Sequence, residues 1–199
     1  MANVSLDEVK RLKDLTGVGL TDAKQALVDA DGDFDKALSE MRKKGLTKAE
    51  KRGEREASQG LVESYVHSGR IGVLVEVNCE TDFVARTDDF KNLVHDLAMH
   101  IAASAPLYVN IEDVPADVRE AKAAEFTEKV KNEGKPEAMV PKIVEGMITK
   151  HFGELCLMEQ PFIKNPDEKV GDLVKSHISK LGENIVVRRM ARFELGVSE

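Results

Sequence analysis

The feature that most constrains this chain is a pair of adjacent β-patterns whose next partner lies far downstream. Leu61-Val62-Glu63-Ser64-Tyr65-Val66-His67 alternates apolar and polar residues, Ser68-Gly69 has turn chemistry, and Ile71-Gly72-Val73-Leu74-Val75-Glu76-Val77 follows at once. That pattern reads as a β-hairpin. The next strand-like run is 184–193, from Asn184-Ile185-Val186-Val187 to Phe193, and the stretch between reads as helical over 82–105, 116–133, 137–152 and 170–181. Asn132-Glu133-Gly134-Lys135-Pro136 splits the middle pair into a helical hairpin. Strands separated by runs of helices predict an α+β fold. The expected architecture is a small antiparallel three-stranded sheet with helices over one face and a helical hairpin, about 116–152, projecting from it. The exposed edges of so small a sheet invite a second copy.

Ahead of the sheet lie three short helical patterns. Leu6, Val9, Leu12 and Leu15 recur at helical spacing until Thr16-Gly17. Thr21 is read as the N-cap of a second helix with Ala23, Ala26, Leu27 and Ala30 on one face. Asp33 caps a third, striped by Phe34, Ala37, Leu38 and Met41 up to Gly45. Residues 1–45 are therefore expected to form a miniature three-helix module, and its geometry resembles the ubiquitin-associated type. Its first loop, Thr16 to Thr21, turns on two glycines and presents Val18 and Leu20, either back into the small core or outward as an apolar knob for a partner.

Charge marks the joint after this module. Residues 42–56 carry seven bases against three acids, whereas 1–41 carry nine acids against five bases. With Gly45, Gly53 and almost no large apolar side chain, the basic stretch reads as a linker, assigned to 46–59, with the core at 60–199. It lacks the aromatic interleaving that single-stranded nucleic acids favour. The whole chain, 199 residues with 36 acids and 29 bases, has a formal net charge of -7 and offers phosphate no general attraction. No apolar run approaches the ~20 residues of a membrane span. Met1 to Lys10 shows no signal-peptide pattern, so a cytoplasmic protein is expected.

A search for catalytic groupings finds little. No phosphate-binding glycine loop occurs, and Cys79 and Cys156 are far from metal-ligand spacing. His67, His95, His100, His151 and His177 are scattered. Cys79 beside Glu80 and Asp82 would have its thiolate disfavoured by negative charge. The expectation is a protein that is not an enzyme, with no metal and no cofactor, and with both cysteines buried and reduced.

The most unusual segment is Asn78-Cys79-Glu80-Thr81-Asp82-Phe83-Val84-Ala85-Arg86, where a strand ends and Thr81 or Asp82 opens a long helix. Stepping 3.6 residues from Phe83 lands near Phe90, Val94, Leu97 and Ile101, which would place Phe83 on the core stripe. The alternative is that a first-turn aromatic overhangs the sheet, so that an apolar wedge and the Asp82 carboxylate project together.

Three motifs in order carry a resemblance over essentially the whole chain. The first is Arg11-Leu12-Lys13-Asp14-Leu15-Thr16-Gly17-Val18-Gly19-Leu20-Thr21-Asp22-Ala23-Lys24-Gln25-Ala26-Leu27. The second is Glu76-Val77-Asn78-Cys79-Glu80-Thr81-Asp82-Phe83-Val84-Ala85, and the third Gly182-Glu183-Asn184-Ile185-Val186-Val187-Arg188-Arg189, with Gln160-Pro161-Phe162-Ile163 as a fourth. The chain resembles the translation elongation factor Ts family, guanine-nucleotide exchange factors for elongation factor Tu. The resemblance implies that Thr81, Asp82, Phe83 and Val84 enter the partner's nucleotide domain and disturb its Mg2+ site, with Phe83 as the wedge. It further implies partner contacts at Leu20 and Lys24, at His67, Leu181 and Gly182, and at Ile163 towards another partner domain. With one copy of the core unit and an end at Glu199, the chain is similar to the short form of the family. That form implies a homodimer and a two-plus-two complex with elongation factor Tu, in its GDP form and nucleotide-free.

Overall fold

The computed structural model describes residues 4–16, 18–41 and 52–197. In chain order these form α1 (Leu6–Thr16), α2 (Leu20–Asp29), α3 (34–41), β1 (Gln59–His67), β2 (Ile71–Cys79), α4 (Asp82–Ala85), α5 (Asp88–Ser104), α6 (Ala116–Asn132), α7 (Val140–Leu155), β3 (Pro161–Phe162), β4 (Asn165–Lys169), α8 (Val170–Leu181) and β5 (Ile185–Glu194). Successive left-handed residues at Ser68 and Gly69, φ 51° and 66°, fold β1 back onto β2. This is the turn handedness that matches strand twist. β2 is the central strand, antiparallel to β1 on one side and to β5 on the other. The expected α+β architecture is present, and the distant run after Asn184 does close the sheet.

The inner sheet face carries Val73, Val75, Val77 and Cys79 from β2 and Ile185 and Val187 from β5. Against it pack Phe90, Leu93, Val94, Leu97 and Ile101 of α5 and Val170, Val174 and Ile178 of α8. A period of two on the strands meets a period of three to four on the helices, and each element buries one face. Both cysteines are buried and free of disulfides. The α6–α7 hairpin has its own small core around Phe126, Val130, Val140 and Val144.

The N-terminal module buries Ala23, Ala26, Leu27 and Ala30 as the spacing predicts, with Ala37 and Met41 from α3. Asp33 caps α3, its Oδ1 accepting from the Lys36 amide at 3.0 Å. Two details differ. The N-cap of α2 is Gly19, with the Ala23 amide bonding to its carbonyl, so Thr21 lies inside the helix. Of the four stripe residues of α1, Val9 and Leu12 are buried, while Leu6 and Leu15 stand in solvent. A module whose second helix buries alanines offers a narrow seam, which takes Val9 and Leu12 and leaves the rest of the α1 stripe outside. The expected stop at Gly45, the Gly17 half of the first loop, and residues 42–51 of the basic stretch lie outside the described residues.

Three corrections bear on the site. The helix expected over 82–105 is two helices, broken at Arg86 and restarted at Thr87. The helix expected over 137–152 begins as a 3-10 turn at Glu137–Met139 and continues as α7 to Leu155. The motif at 160–163 opens a small two-stranded sheet, β3–β4, which no alternation in Asn165-Pro166-Asp167-Glu168-Lys169 announced.

Candidate functional site

The break between α4 and α5 follows from two threonine caps. Thr81 Oγ1 accepts from the Val84 amide at 3.4 Å, opening the single turn of α4. Thr87 Oγ1 accepts from the Phe90 amide at 3.3 Å while donating to the Val84 carbonyl at 2.8 Å, so it closes one helix and opens the next. An N-cap residue takes extended backbone angles, which shifts the helical phase. The stripe that includes Phe90, Val94, Leu97 and Ile101 therefore starts afresh after Thr87. Phe83 is not on it: it is 78% exposed, and the core placement that the uninterrupted arithmetic allowed is overturned. Its neighbours hold the turn down, Ala85 buried and Val84 packed against the core. Asp82 stands beside it, paired with Arg86 at 2.8 Å across an exposed surface.

A second segment clasps this turn. α8 ends at Gly182, whose φ of 82° is the left-handed C-cap geometry that glycine adopts without strain. The reversal aims Glu183 and Asn184 at the turn. Glu183 accepts from both the amide and the hydroxyl of Thr81. Glu80 reciprocates, accepting from the Asn184 amide at 2.7 Å and pairing with Arg55 at 3.5 Å. The Asn184 side chain, buried, donates to the Arg55 and Gly53 carbonyls at 2.7 and 3.3 Å. The C-terminal end of the expected linker is thus bound to the same clasp, and Arg52 donates to the Ile178 carbonyl at 3.0 Å.

Cys79 lies beneath, its thiol donating to the Thr81 carbonyl at 3.1 Å. Burial, reinforced by the Glu183 charge, pushes that thiol up to about 11, which disfavours the thiolate at neutral pH. Among the described residues no group of three or more His, Cys, Asp or Glu could hold a metal ion, and no helix is long and apolar enough to cross a membrane.

The sequence-derived residues fall into three places. Thr81, Asp82, Phe83 and Val84 lie at one end of the sheet, where Glu183, which follows Leu181 and Gly182, bonds to Thr81. His67 and Ile163 meet at the other, where they line one cavity of about 380 Å³ with Tyr65, Ile71, Met99 and Arg192. The length of β2 separates the two ends, about 26 Å at ~3.3 Å per residue. Leu20 and Lys24 lie apart on α2, both exposed, while Val18 packs on the module's core. Glu80, Glu183 and Asn184, which hold the Thr81–Val84 turn, belong to the sequence motifs, but no local pattern assigns them a role. Their pairing spans a sequence distance that no periodicity reports.

A family model described as elongation factor TS matches residues 46–197. Elongation factor Ts of Heliobacterium modesticaldum is 54% identical over 189 residues, covering 94% of this chain and 88% of its own. That of Moorella thermoacetica is 53% identical, covering 97% and 96%, and that of Desulfosudis oleivorans 51% identical, covering 98% and 100%.

Proposed function

The chain belongs to the elongation factor Ts family, a translation elongation factor by that membership, and from this premise we propose that it binds elongation factor Tu·GDP and promotes GDP release. The observation that carries the proposal is Phe83: an aromatic side chain, 78% exposed, on a turn tied at both ends by threonine caps and clasped by Glu183. An exposed aromatic costs hydration free energy in the free protein. A rigid mounting loses little entropy when it inserts.

The mechanism is linkage. On the partner, Mg2+ offsets phosphate charge, so cation and nucleotide bind together. A protein whose wedge, Phe83 with Thr81, Asp82 and Val84, fits best when that Mg2+ site is disturbed must weaken nucleotide affinity by the same factor. No covalent bond is made or broken, so the chain acts as an exchange factor and not as an enzyme. It needs no cofactor of its own. Leu181 and Gly182 flank the wedge as further contacts, His67 and Ile163 form a second grip, and Leu20 and Lys24 a third on the N-terminal module. GTP then reloads the emptied partner, in the cytoplasm and with no direct contact to nucleic acid or membrane.

The reading extends to a homodimer and a two-plus-two complex. The outer sheet face carries Val62, Val66, Leu74 and Phe193, all exposed, with Val66, Gly72 and Phe193 in one row and Ser64, Leu74 and Ala191 in the next. Bare apolar rows on a sheet are suited to a second sheet about 10 Å away. The same rows on a second copy supply it. This replaces edge pairing, which the alternation alone favoured, with face packing.

The deciding experiment is release of a fluorescent GDP analogue from purified elongation factor Tu. Acceleration by the wild-type chain supports the reading, and its absence at saturating concentration overturns it.

A further inference from the structure

Ile163 sits in the turn between β3 and β4, strands joined by only two paired positions. So short a ladder does not hold itself in water. Three of its anchors come from α5. The Ile163 amide donates to His100 Nδ1 at 3.2 Å, Lys164 donates to Asp96 Oδ1 at 2.6 Å, and the Phe162 ring lies 6.0 Å from the His100 ring. His100 is 0% exposed, and a buried imidazole must satisfy both ring nitrogens.

Main-chain groups at the two ends dictate the polarity of this network. The Glu154 carbonyl can only accept, so Gln160 must turn its Nε2 to it, at 2.7 Å. That leaves Gln160 Oε1 facing His100 Nε2 at 2.9 Å, which must therefore carry the proton. At the other end the Ile163 amide can only donate, so Nδ1 must be bare. One neutral tautomer satisfies every group. Either other protonation state sets N–H against N–H inside the core.

We propose that His100, in this single tautomer, is the positioning residue for the turn that presents Ile163, and that α5 thereby fixes the spacing between the second partner contact and the wedge. Thr87 opens α5 directly behind the Phe83 turn, and His100 lies thirteen residues on, roughly 20 Å at ~1.5 Å per residue. A rigid helix carries the wedge at its start and the Ile163 turn near its end. The inference rests on the exchange-factor reading for its consequence and on the free chain alone for its geometry.

The test has two parts that fail separately. In the 15N-labelled full chain at neutral pH, the His100 ring is expected to show a protonated Nε2 and a bare Nδ1; the opposite tautomer, or a doubly protonated ring, overturns the proposal. In His100→Leu, the Ile163 amide is expected to exchange with solvent at least tenfold faster while those of Val75 and Leu97 do not change. His100→Asn, whose Oδ1 can stand in for Nδ1, is expected to recover most of that protection. Should His100→Leu not fold, Gln160→Leu frees Nε2 and with it the tautomer, and the same amide is read. In GDP release, His100→Leu is expected to raise the half-maximal concentration several-fold and to leave the maximal rate unchanged, as Ile163→Ala would. A freed Ile163 amide with a wild-type half-maximal concentration would sink the positioning role. If the wild type fails to accelerate release at all, the exchange-factor reading falls, and the ring and amide data still decide the lock.

Discussion

Thr81 and Glu183 lie 102 residues apart and share two hydrogen bonds, the Thr81 amide donating to Oε2 at 2.9 Å and its hydroxyl to Oε1 at 2.6 Å. The same threonine caps α4, so one side chain joins the start of the wedge to the end of α8. Charge-assisted bonds of this kind are the stronger class. Their effect is geometric: they decide where an exposed phenyl ring points.

Phe83→Ala is expected to leave the melting temperature nearly unchanged, since truncating an exposed side chain typically shifts stability by no more than ~0.5 kcal/mol. GDP release from elongation factor Tu is expected to slow by tenfold or more. A loss of several kcal/mol in chemical denaturation would mean that the ring is packed after all.

Glu183→Ala removes at once the two carboxylate oxygens to which Thr81 donates. We expect about 1–3 kcal/mol of destabilisation from the groups left unpaired and a slower release rate. Combined with Phe83→Ala, the rate effects should be less than additive, because aiming a wedge matters only while the wedge is there. Strict additivity in that double-mutant cycle would separate the clasp from the wedge.

Gly60→Ala probes the sheet. At φ 144° a β-carbon there would collide with the Val77 carbonyl oxygen across the β1–β2 ladder. Neither backbone can yield without losing register, so a loss above ~2 kcal/mol is expected by denaturant titration. An unchanged midpoint would show that β1 starts later than Gly60.

His100 makes stability depend on pH in a defined direction. Burial holds its pKa below the ordinary value of about 6.5, with the Gln160 bond opposing. Between the folded and unfolded values the unfolded chain binds more protons, so stability rises with pH there. The contribution is full above ~6.5 and is lost as pH falls through the lower folded value. Calorimetry from pH 7.5 downward should show the melting temperature of the wild type falling more steeply than that of His100→Asn. Parallel curves would assign the acid sensitivity elsewhere.

Leu74→Arg places a charge in the middle of the outer sheet rows without touching the inner core. Light scattering is expected to report a dimer for the wild type and a monomer for the variant, with unchanged circular dichroism. A wild-type monomer at tens of micromolar would remove the face-to-face dimer.

Local periodicity and punctuation carried most of the fold by themselves. The 61–77 hairpin is written in alternation plus Ser68-Gly69, the module's seam in alanine spacing, and the closing strand in the β-branched run after Asn184. The unusual residue run at Asn78–Arg86 is legible from the sequence itself, whereas Gly182–Arg189 stands out only through the family resemblance. Tertiary structure decided what those patterns leave degenerate. Thr87 is an unremarkable residue in sequence, yet its cap resets the helical phase and turns Phe83 from a core candidate into an exposed one. The carboxylates of Glu80 and Glu183 pair with backbone more than a hundred residues away, and β3–β4 forms because α5 and α7 anchor it. The His100 tautomer is set by two main-chain groups from other elements. Periodicity records which face of an element is apolar; it holds no record of which distant donor will meet which acceptor, and that is where the site is made.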